Sequence, residues 1–389
     1  MHHQAARRGS GSVPAGTIGR ALAAGGGYGS GFDILRLSLA ILVMAFHTGA
    51  TVGSKLWTTS LAPLTDSLVP MFFGLSGFLV AGSALRLPPG RFLVNRALRI
   101  GPALAVVTLV TAFVIGPIFS TYDPVTYFAQ PAVWQYCANS VGIFRSQLPG
   151  VFTQNGQPGI VNAALWTIPY EIACYCLMAV LIASGLLRRP GVLLAAIVAL
   201  AVTPALLDGL GLLSLFEQAW LFRLFFTGRG AILFSCFLGG CLLYVWRDDV
   251  PLDGRLFAAA LAGAGLLYLL GPDRRTLMGP ALSGMCLAYI AVSIGLADLG
   301  GRIGQYKADY SYGLYLYHCP ILNAVHYLVP KIESVTVLFL LALGPTILAA
   351  VLSWHGIESP ILRARKRFGL MARRNLIVLE PARLEKSGA

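Results

Sequence analysis

Ten apolar segments follow one another along this chain of 389 residues, and most approach the ~20 residues that a helix needs to cross a bilayer. They lie at about residues 33–53, 66–85, 101–119, 163–186, 191–209, 226–246, 255–271, 276–297, 310–329 and 335–356. Charged residues make up 12% of the chain, whereas a soluble domain carries about 25%. The sequence therefore predicts an all-α, polytopic membrane bundle of about ten transmembrane helices.

The composition divides the chain into three parts. Residues 1–31 are rich in glycine, alanine and serine, and we expect them to form a flexible cytoplasmic tail. Residues 32–360 hold all the apolar segments and form the membrane domain. Residues 361–389 carry many lysines and arginines, so we expect a basic cytoplasmic tail that lies on anionic lipid headgroups.

The distribution of positive charge predicts the orientation. An even number of spans places both termini on one side of the membrane. With both termini inside, 21 lysines and arginines fall on the cytoplasmic side and seven on the outer side, and Arg36 completes the 29. Cytoplasmic loops carry such an excess, so we expect a multi-pass protein of the cytoplasmic (inner) membrane. The same bias explains the net charge of +13 without a nucleic-acid partner.

The first apolar segment contains two ionisable residues, Arg36 near its start and His47 near its end. An arginine at the centre of a bilayer costs roughly 2.5–3.5 kcal/mol on insertion scales. The two residues are eleven positions apart, which places them on one helix face about 16 Å apart along the axis. This alignment favours a functional site lined by other helices. The alternative is a snorkelling Arg36 and a structural His47.

Two arginines precede the third segment. Arg96 and Arg99 are one helical turn apart and would share a face, so they suggest an anion clamp near Arg36 at the cytoplasmic mouth. Ordinary cytoplasmic positive charge is the alternative interpretation. Glu358 lies at the cytoplasmic end of the last segment, where we expect a structural ion pair with Arg96, Arg99 or Arg36.

Other chemistry-bearing residues stand inside or beside the remaining segments. Glu171 lies within the fourth segment, where it needs a partner or a proton, and Pro169 would kink the helix beside it. His318 lies too deep in the ninth segment to belong to an interfacial aromatic belt. The long connection at 120–162 is aromatic and polar, and we expect it to cover a substrate on the outer side.

These residues fall within six motifs that resemble the acyltransferase family 3 membrane proteins. The motifs are Asp33-Ile-Leu with Arg36-x10-His47, FFGLSGF at 72–78, Arg96-x-x-Arg99 before Pro102, LWTIPYE at 165–171, SYGLYLYHCP at 311–320 and IESP at 357–360. The resemblance covers nearly the whole chain. It implies ten helices and transfer of an acyl group, usually acetyl, from cytoplasmic acyl-CoA to a hydroxyl of a cell-surface glycan or its lipid-linked precursor. In the fourth segment the family commonly has Ser-Leu where this chain has Thr167-Ile168.

The resemblance also implies roles for particular residues. His47 and Glu171 are the expected catalytic residues, and Arg36, Arg96 and Arg99 the expected acyl-CoA ligands. Five further residues of the motifs are expected to line the site: Asp33, Ser76, Trp166, Tyr317 and His318. Acyl-CoA is expected as a donor substrate, with no permanently bound cofactor. The seven cysteines form no CxxC pair, so the sequence predicts neither a disulfide framework nor a metal site.

The chemistry of acyl transfer agrees with the residue types. A base must deprotonate the acceptor hydroxyl, and an imidazole with an ordinary pKa of ~6.5 suits that task. The donor phosphates require cations, preferably planar guanidiniums, on the cytoplasmic side where acyl-CoA is found. We therefore expect acyl-CoA to dock at the arginines and to extend its thioester to His47. Direct transfer and a transient acyl-histidine remain open.

Two other classes of function also remain. A transporter or flippase for an anionic glycolipid would use His47 and Glu171 as a proton relay, although no inverted repeat is visible in the sequence. A lipid-binding scaffold is the third option, and no motif favours it. The sequence leaves open the acceptor, the acyl length and the oligomeric state.

Overall fold

The computed structural model describes residues 16–227, 229–270, 279–298 and 308–367. Its α-helices are α1 Ile18–Ala24, α2 Gly31–Thr51, α3 Ala62–Ala84, α4 Pro89–Val110, α5 Gly116–Phe119, α6 Pro124–Ala129, α7 Pro131–Tyr136, α8 Ile168–Ala183, α9 Pro190–Gly209, α10 Leu213–Phe216, α11 Trp220–Phe226, α12 Gly230–Val245, α13 Gly254–Leu270, α14 Gly279–Leu296, α15 Ser311–Leu328, α16 Val335–Ser353 and α17 Ser359–Arg367. Two short strands, β1 Gly16–Thr17 and β2 Pro251–Leu252, pair antiparallel. Single π-helical turns lie at Leu56–Ser60, Thr111–Ile115 and Trp354–Glu358, and 3₁₀ turns at Cys137–Val141, Ala163–Thr167 and Leu186–Arg188.

The prediction of an all-α membrane bundle is confirmed, and each of the ten predicted segments contains a helix. Within the described residues, seven helices are long and apolar enough to cross a membrane. An eighth is added if α11 and α12, which meet at 62°, form one broken span. α13 is shorter, at 17 residues. Large apolar side chains such as Val180, Leu269 and Leu340 are more than 60% exposed, as expected of a surface that faces lipid.

The centre of the bundle is formed by α3, α12 and α14, which pack on one another. Glycines allow this close approach. A Cβ on Gly77 would lie 2.0 Å from the carbonyl oxygen of Phe237, and one on Gly240 would lie 2.1 Å from that of Gly74. The glycines of the FFGLSGF motif therefore serve helix packing.

The helices that carry the candidate site surround this centre. α2 packs against α3, α14, α15 and α16, and α4 packs against α8, α15 and α17. α4 begins at Pro89 and is continuous through Arg96 and Arg99, so both arginines lie on one helix. Proline is tolerated in the first turn of a helix, where its missing N–H is not needed.

The long connection at 120–162 is a compact layer with its own apolar cluster, which includes Tyr127, Tyr136 and Phe152. It is fastened to α15 by amide hydrogen bonds. Asn155 Nδ2 donates to the carbonyl oxygen of Asn323 at 3.1 Å, and Asn162 Nδ2 donates to that of Leu316 at 2.9 Å. The segment is therefore tied to the helix that carries His318.

The two predicted tails are partly helical. Residues 16–31 are described, and Ile18 and Leu22 of α1 are buried, so this part of the predicted flexible tail is packed instead. The packing follows from the apolar face of α1 and from the pairing of β1 with β2. At the other end, α17 continues to Arg367 and packs on α4. Residues 1–15 and 368–389 lie outside the described residues.

Candidate active site

Four charged residues form a chain at the end of the bundle that carries the arginines. Arg36 Nη2 lies 2.7 Å from Asp309 Oδ2, and Arg99 Nη2 lies 2.5 Å from the same oxygen. The other terminal nitrogen of Arg99 lies 2.6 Å from Glu358 Oε2. The chain joins α2, the residues before α15, α4 and the π-helical turn after α16. Glu358 thus pairs with one of the three predicted partners, Arg99.

Asp309 is the carboxylate that links the two arginines. Burial alone would raise the pKa of its carboxyl, but the Arg36 and Arg99 guanidiniums outweigh burial and lower the pKa to about 2. Ser311 Oγ also donates a hydrogen bond to Asp309, which favours the ionised form. Asp309 is therefore a carboxylate at any physiological pH.

A cavity of about 450 Å³ opens beside this chain of charges. Five predicted site residues line it: Arg36, Ser76, Arg96, Arg99 and Glu171. Glu171 lies in the first turn of α8 and accepts a hydrogen bond from the Tyr175 hydroxyl at 2.6 Å. The structure therefore brings together the three predicted acyl-CoA ligands and one of the two predicted catalytic residues.

The second predicted catalytic residue, His47, pairs with His318 of α15. His47 Nδ1 lies 3.1 Å from His318 Nε2, and the ring centroids are 5.0 Å apart. His318 is fully buried, and His47 is half-buried. Each of the two ionisable residues of α2 therefore contacts a specific partner: Arg36 contacts Asp309, and His47 contacts His318.

Backbone carbonyls define the tautomers of both imidazoles. His47 Nδ1 is 3.0 Å from the carbonyl oxygen of Val43, and His318 Nδ1 is 3.2 Å from that of Leu314. A carbonyl only accepts, so both Nδ1 atoms carry the hydrogen. Both Nε2 atoms then hold a lone pair. His318 Nε2 accepts from His47 Nδ1 or from Cys319 Sγ, which is 3.3 Å away, and His47 Nε2 remains available as a base.

The same atoms form a group that the sequence did not indicate. One ligand atom each from His47, His318 and Cys319 lie within 4.8 Å of one another, a spacing compatible with a metal ion. The hydrogen bond to the Val43 carbonyl uses His47 Nδ1 as a donor, so a metal on His47 would have to bind Nε2, the nitrogen that is also available as a base.

Tyr315 separates the cavity from the histidines. Its side chain lines the cavity, and its ring centroid is 5.9 Å from that of His318. Phe72, which also lines the cavity, packs on the Tyr315 ring at 6.1 Å. The Tyr315 hydroxyl is held by Thr167 Oγ1 at 2.9 Å and by the Ala164 carbonyl at 3.0 Å. His47 and His318 thus lie behind the cavity wall and not in its lining.

Three other predicted lining residues lie elsewhere. Asp33 accepts a hydrogen bond from the Tyr28 hydroxyl at 2.7 Å, and Tyr317 packs against an apolar cluster that includes Leu104. The guanidinium of Arg229 makes a cation–π contact with the Trp166 ring, with Cζ 5.2 Å from the ring centroid. These side chains surround the site and do not line the cavity.

Sequence reasoning missed several residues that the structure places at the site. They are Asp309, Tyr175, Tyr315, Cys319 and Arg365. Asp309 lies two residues before the SYGLYLYHCP motif, so its position at the mouth of the ninth segment was a usable signal. Tyr175 is one helical turn after Glu171, which was a second signal.

The fold and the site define a multi-pass helical membrane protein with a buried ionisable centre. A family profile described as "Acyltransferase domain" matches residues 30–355, which is most of the chain. The chain therefore belongs to acyltransferase family 3, and the resemblance drawn from the motifs is confirmed.

Two curated relatives match this chain over most of its length, and the name of one of them states a reaction. An O-acetyl transferase of Shigella phage Sf6 is 28% identical over 354 residues, which cover 85% of this chain and 95% of the relative. Nodulation protein 10 of Rhizobium leguminosarum bv. viciae is 27% identical over 381 residues, which cover 90% of this chain and 96% of the relative. No solved structure matches this chain. Family membership and the first relative support an acyltransferase that carries out O-acyl transfer.

Proposed function

We propose that this protein transfers an acyl group, most often acetyl, from cytoplasmic acyl-CoA to a hydroxyl of a cell-surface or lipid-linked glycan. The observation that carries the proposal is the position of the His47–His318 pair, with a free Nε2 on His47, behind the Tyr315 wall of an arginine-lined cavity. The protein lies in the inner membrane with both termini in the cytoplasm, so the arginines face the compartment that holds acyl-CoA.

The cavity is the donor site. Its arginines supply cations for the donor phosphates, and its remaining lining includes apolar side chains such as Phe72, Leu79 and Ile100. About 16 Å separate Arg36 from His47 along α2, a distance that an extended pantetheine arm spans. Glu171, held by Tyr175, lies on the cavity wall, where it can contact this arm.

His47 acts as the general base. Its Nε2 takes the proton of the acceptor hydroxyl while the hydroxyl oxygen attacks the thioester carbonyl. The CoA thiolate leaves and recovers a proton from the imidazolium, so the histidine returns to its neutral form. The Val43 carbonyl and His318 stabilise the Nδ1–H tautomer through this cycle.

The acceptor reaches His47 from the side opposite the arginines. The relative from phage Sf6 bears the name O-acetyl transferase, which supports a hydroxyl as the acceptor group. Trp166 lies just before the first residue of α8, and the Arg229 guanidinium lies over its ring. The aromatic ring can pack on the apolar face of a sugar, and the cation can bind the sugar hydroxyls.

A thioester-release assay tests the proposal. Purified protein is incubated with acetyl-CoA and a lipid-linked saccharide acceptor, and free CoA and acetylated acceptor are measured together. The proposal predicts equal amounts of both products. A transporter that uses His47 and Glu171 as a relay would release no CoA and would move the glycolipid across a vesicle membrane instead.

A further inference from the structure

Two of the three predicted acyl-CoA ligands already have anionic partners. Arg99 contacts Asp309 with one terminal nitrogen and Glu358 with the other, and its guanidinium also lies 5.4 Å from the centroid of the Tyr312 ring. Arg36 contacts Asp309 as well. The positive charge of these two arginines is therefore balanced by two carboxylates before any ligand enters.

Among the residues that the structure describes, two other arginines of the cavity have no such partner. Arg96 and Arg365 both line it, and neither makes an ion pair with a residue of the described ranges. The Nε atom of each is buried and lacks a hydrogen-bond acceptor within the same ranges. Burying a guanidinium nitrogen without an acceptor costs free energy, so this part of the cavity favours a ligand that supplies an anionic acceptor.

The two guanidiniums also interact with each other. Arg96, Arg99 and Arg365 line the same cavity, and the positive charges of Arg96 and Arg99 repel that of Arg365. The Arg96 guanidinium lies about 6 Å from the rings of Phe92 and Tyr175, at 6.0 and 5.9 Å from their centroids. These aromatic faces hold the side chain in place without neutralising it.

The position of Arg365 follows from the turn that precedes α17. Glu358 ends the π-helical turn and is anchored by Arg99 and by Ser353 Oγ, at 3.1 Å. α17 starts at the next residue and packs on α4, so Arg365 reaches the cavity while Arg363 remains exposed. A basic residue that the sequence assigned to a surface tail is thus part of the cavity.

We propose that Arg96 and Arg365 form the anion site that binds the phosphate groups of acyl-CoA, while Arg36 and Arg99 position the walls of this site through Asp309 and Glu358. The inference rests on the proposed donor. Phosphate oxygens accept several N–H groups at once, and a guanidinium offers them in a planar fork. A lipid headgroup carries the same phosphate chemistry, so the test must separate the two sources.

The test compares Arg365→Gln and Arg96→Gln with Arg363→Gln, which removes the same charge from an exposed position of α17. CoA affinity is measured by calorimetry in nanodiscs of zwitterionic lipid. Thermal unfolding in the same nanodiscs reports whether each variant is folded. Arg365→Lys is added because it keeps a charge with a different shape and provides a folded variant if the glutamine form is unstable.

We expect the Kd for CoA to rise by about 10–100-fold in Arg365→Gln and in Arg96→Gln, as for the loss of one charge-assisted hydrogen bond or more. Arg363→Gln should bind CoA as the wild type does, Arg365→Lys should be intermediate, and all four variants should unfold near the wild-type temperature. Nanodiscs that contain phosphatidylglycerol should give the same ratios.

Three results would overturn the assignment. Wild-type CoA affinity in Arg365→Gln removes Arg365 from the donor site and leaves the proposed function intact. A loss seen only in the presence of phosphatidylglycerol assigns the arginines to a lipid headgroup. A wild-type protein that binds no CoA rejects the donor of the proposed function, and the phosphate assignment fails with it.

Discussion

Asp309 forms an ion pair with Arg36, with 2.7 Å between Asp309 Oδ2 and Arg36 Nη2. This contact connects the residues just before α15 to α2, the helix that carries His47. Because the same carboxylate oxygen also contacts Arg99, one side chain connects three elements around the cavity. Asp309 is therefore as central to the arrangement of the site as the arginines themselves.

Asp309→Asn should destabilise the protein by roughly 2 kcal/mol, since the pKa of Asp309 is lowered from 3.8 to about 2 and each pKa unit is worth about 1.4 kcal/mol. A lowered pKa means that the stabilisation is fully present above pH ~4 and is lost as the pH falls through about 2. Thermal unfolding in detergent should show a constant difference between wild type and variant from pH 8 to pH 5. A difference that disappears between pH 8 and pH 6 would contradict this assignment.

Arg99→Ala should reduce the yield of folded protein, because it leaves Asp309 and the buried Glu358 without a shared cation. Removing one partner from a buried ion pair typically costs about 3–5 kcal/mol. Arg91→Ala is the matched control, since Arg91 is exposed on the same helix. Size-exclusion chromatography and thermal unfolding give the comparison, and equal stability of the two variants would show that Arg99 has no structural role.

Local periodicity was sufficient to predict part of the site. The shared face of Arg36 and His47 depends on one helix, and the pairing of Glu358 with an arginine follows from their common depth in the membrane. The link through Asp309 depends on tertiary contacts between segments far apart in the chain, so no local pattern contains it. Arg365 was assigned to a surface tail because its surroundings in the sequence are uniformly basic.

Local sequence patterns also do not show which helices pack together. Arg96 and Arg99 precede the third apolar segment in the sequence, and the structure joins them to it in one helix, α4, which begins at Pro89 and ends at Val110. His318 was expected to line the site, yet its specific partner, His47, belongs to another helix. Such pairings require the packing of α2 on α15, which the apolar pattern alone does not specify.

The charge bias predicts the orientation, and reporter fusions test it. A reporter that is active only in the cytoplasm should be active when it is fused after Ala389, and inactive when it is inserted after Val141 in the long connection. The reverse pattern would place the arginines outside and would remove the argument for a cytoplasmic donor.

Metal removal should leave transfer activity unchanged, because the proposed base, His47 Nε2, takes the acceptor proton without help from a metal. Cys319→Ser should likewise retain activity, since a hydroxyl can replace the thiol as a donor to His318 Nε2. Activity is measured before and after chelation with phenanthroline. Loss on chelation and recovery with zinc would instead establish His47, His318 and Cys319 as a metal centre.

The most direct test of the account is the specific transfer activity of folded His47→Ala. General-base catalysis contributes about 10²–10⁴-fold, so the variant should lose at least 10²-fold of acetyl transfer while its CoA affinity and thermal stability stay near those of the wild type. His326→Gln, near the far end of α15, serves as the control and should remain active. Full specific activity in well-folded His47→Ala would contradict the proposed role of His47. The assignment of the protein to acyltransferase family 3 would still stand.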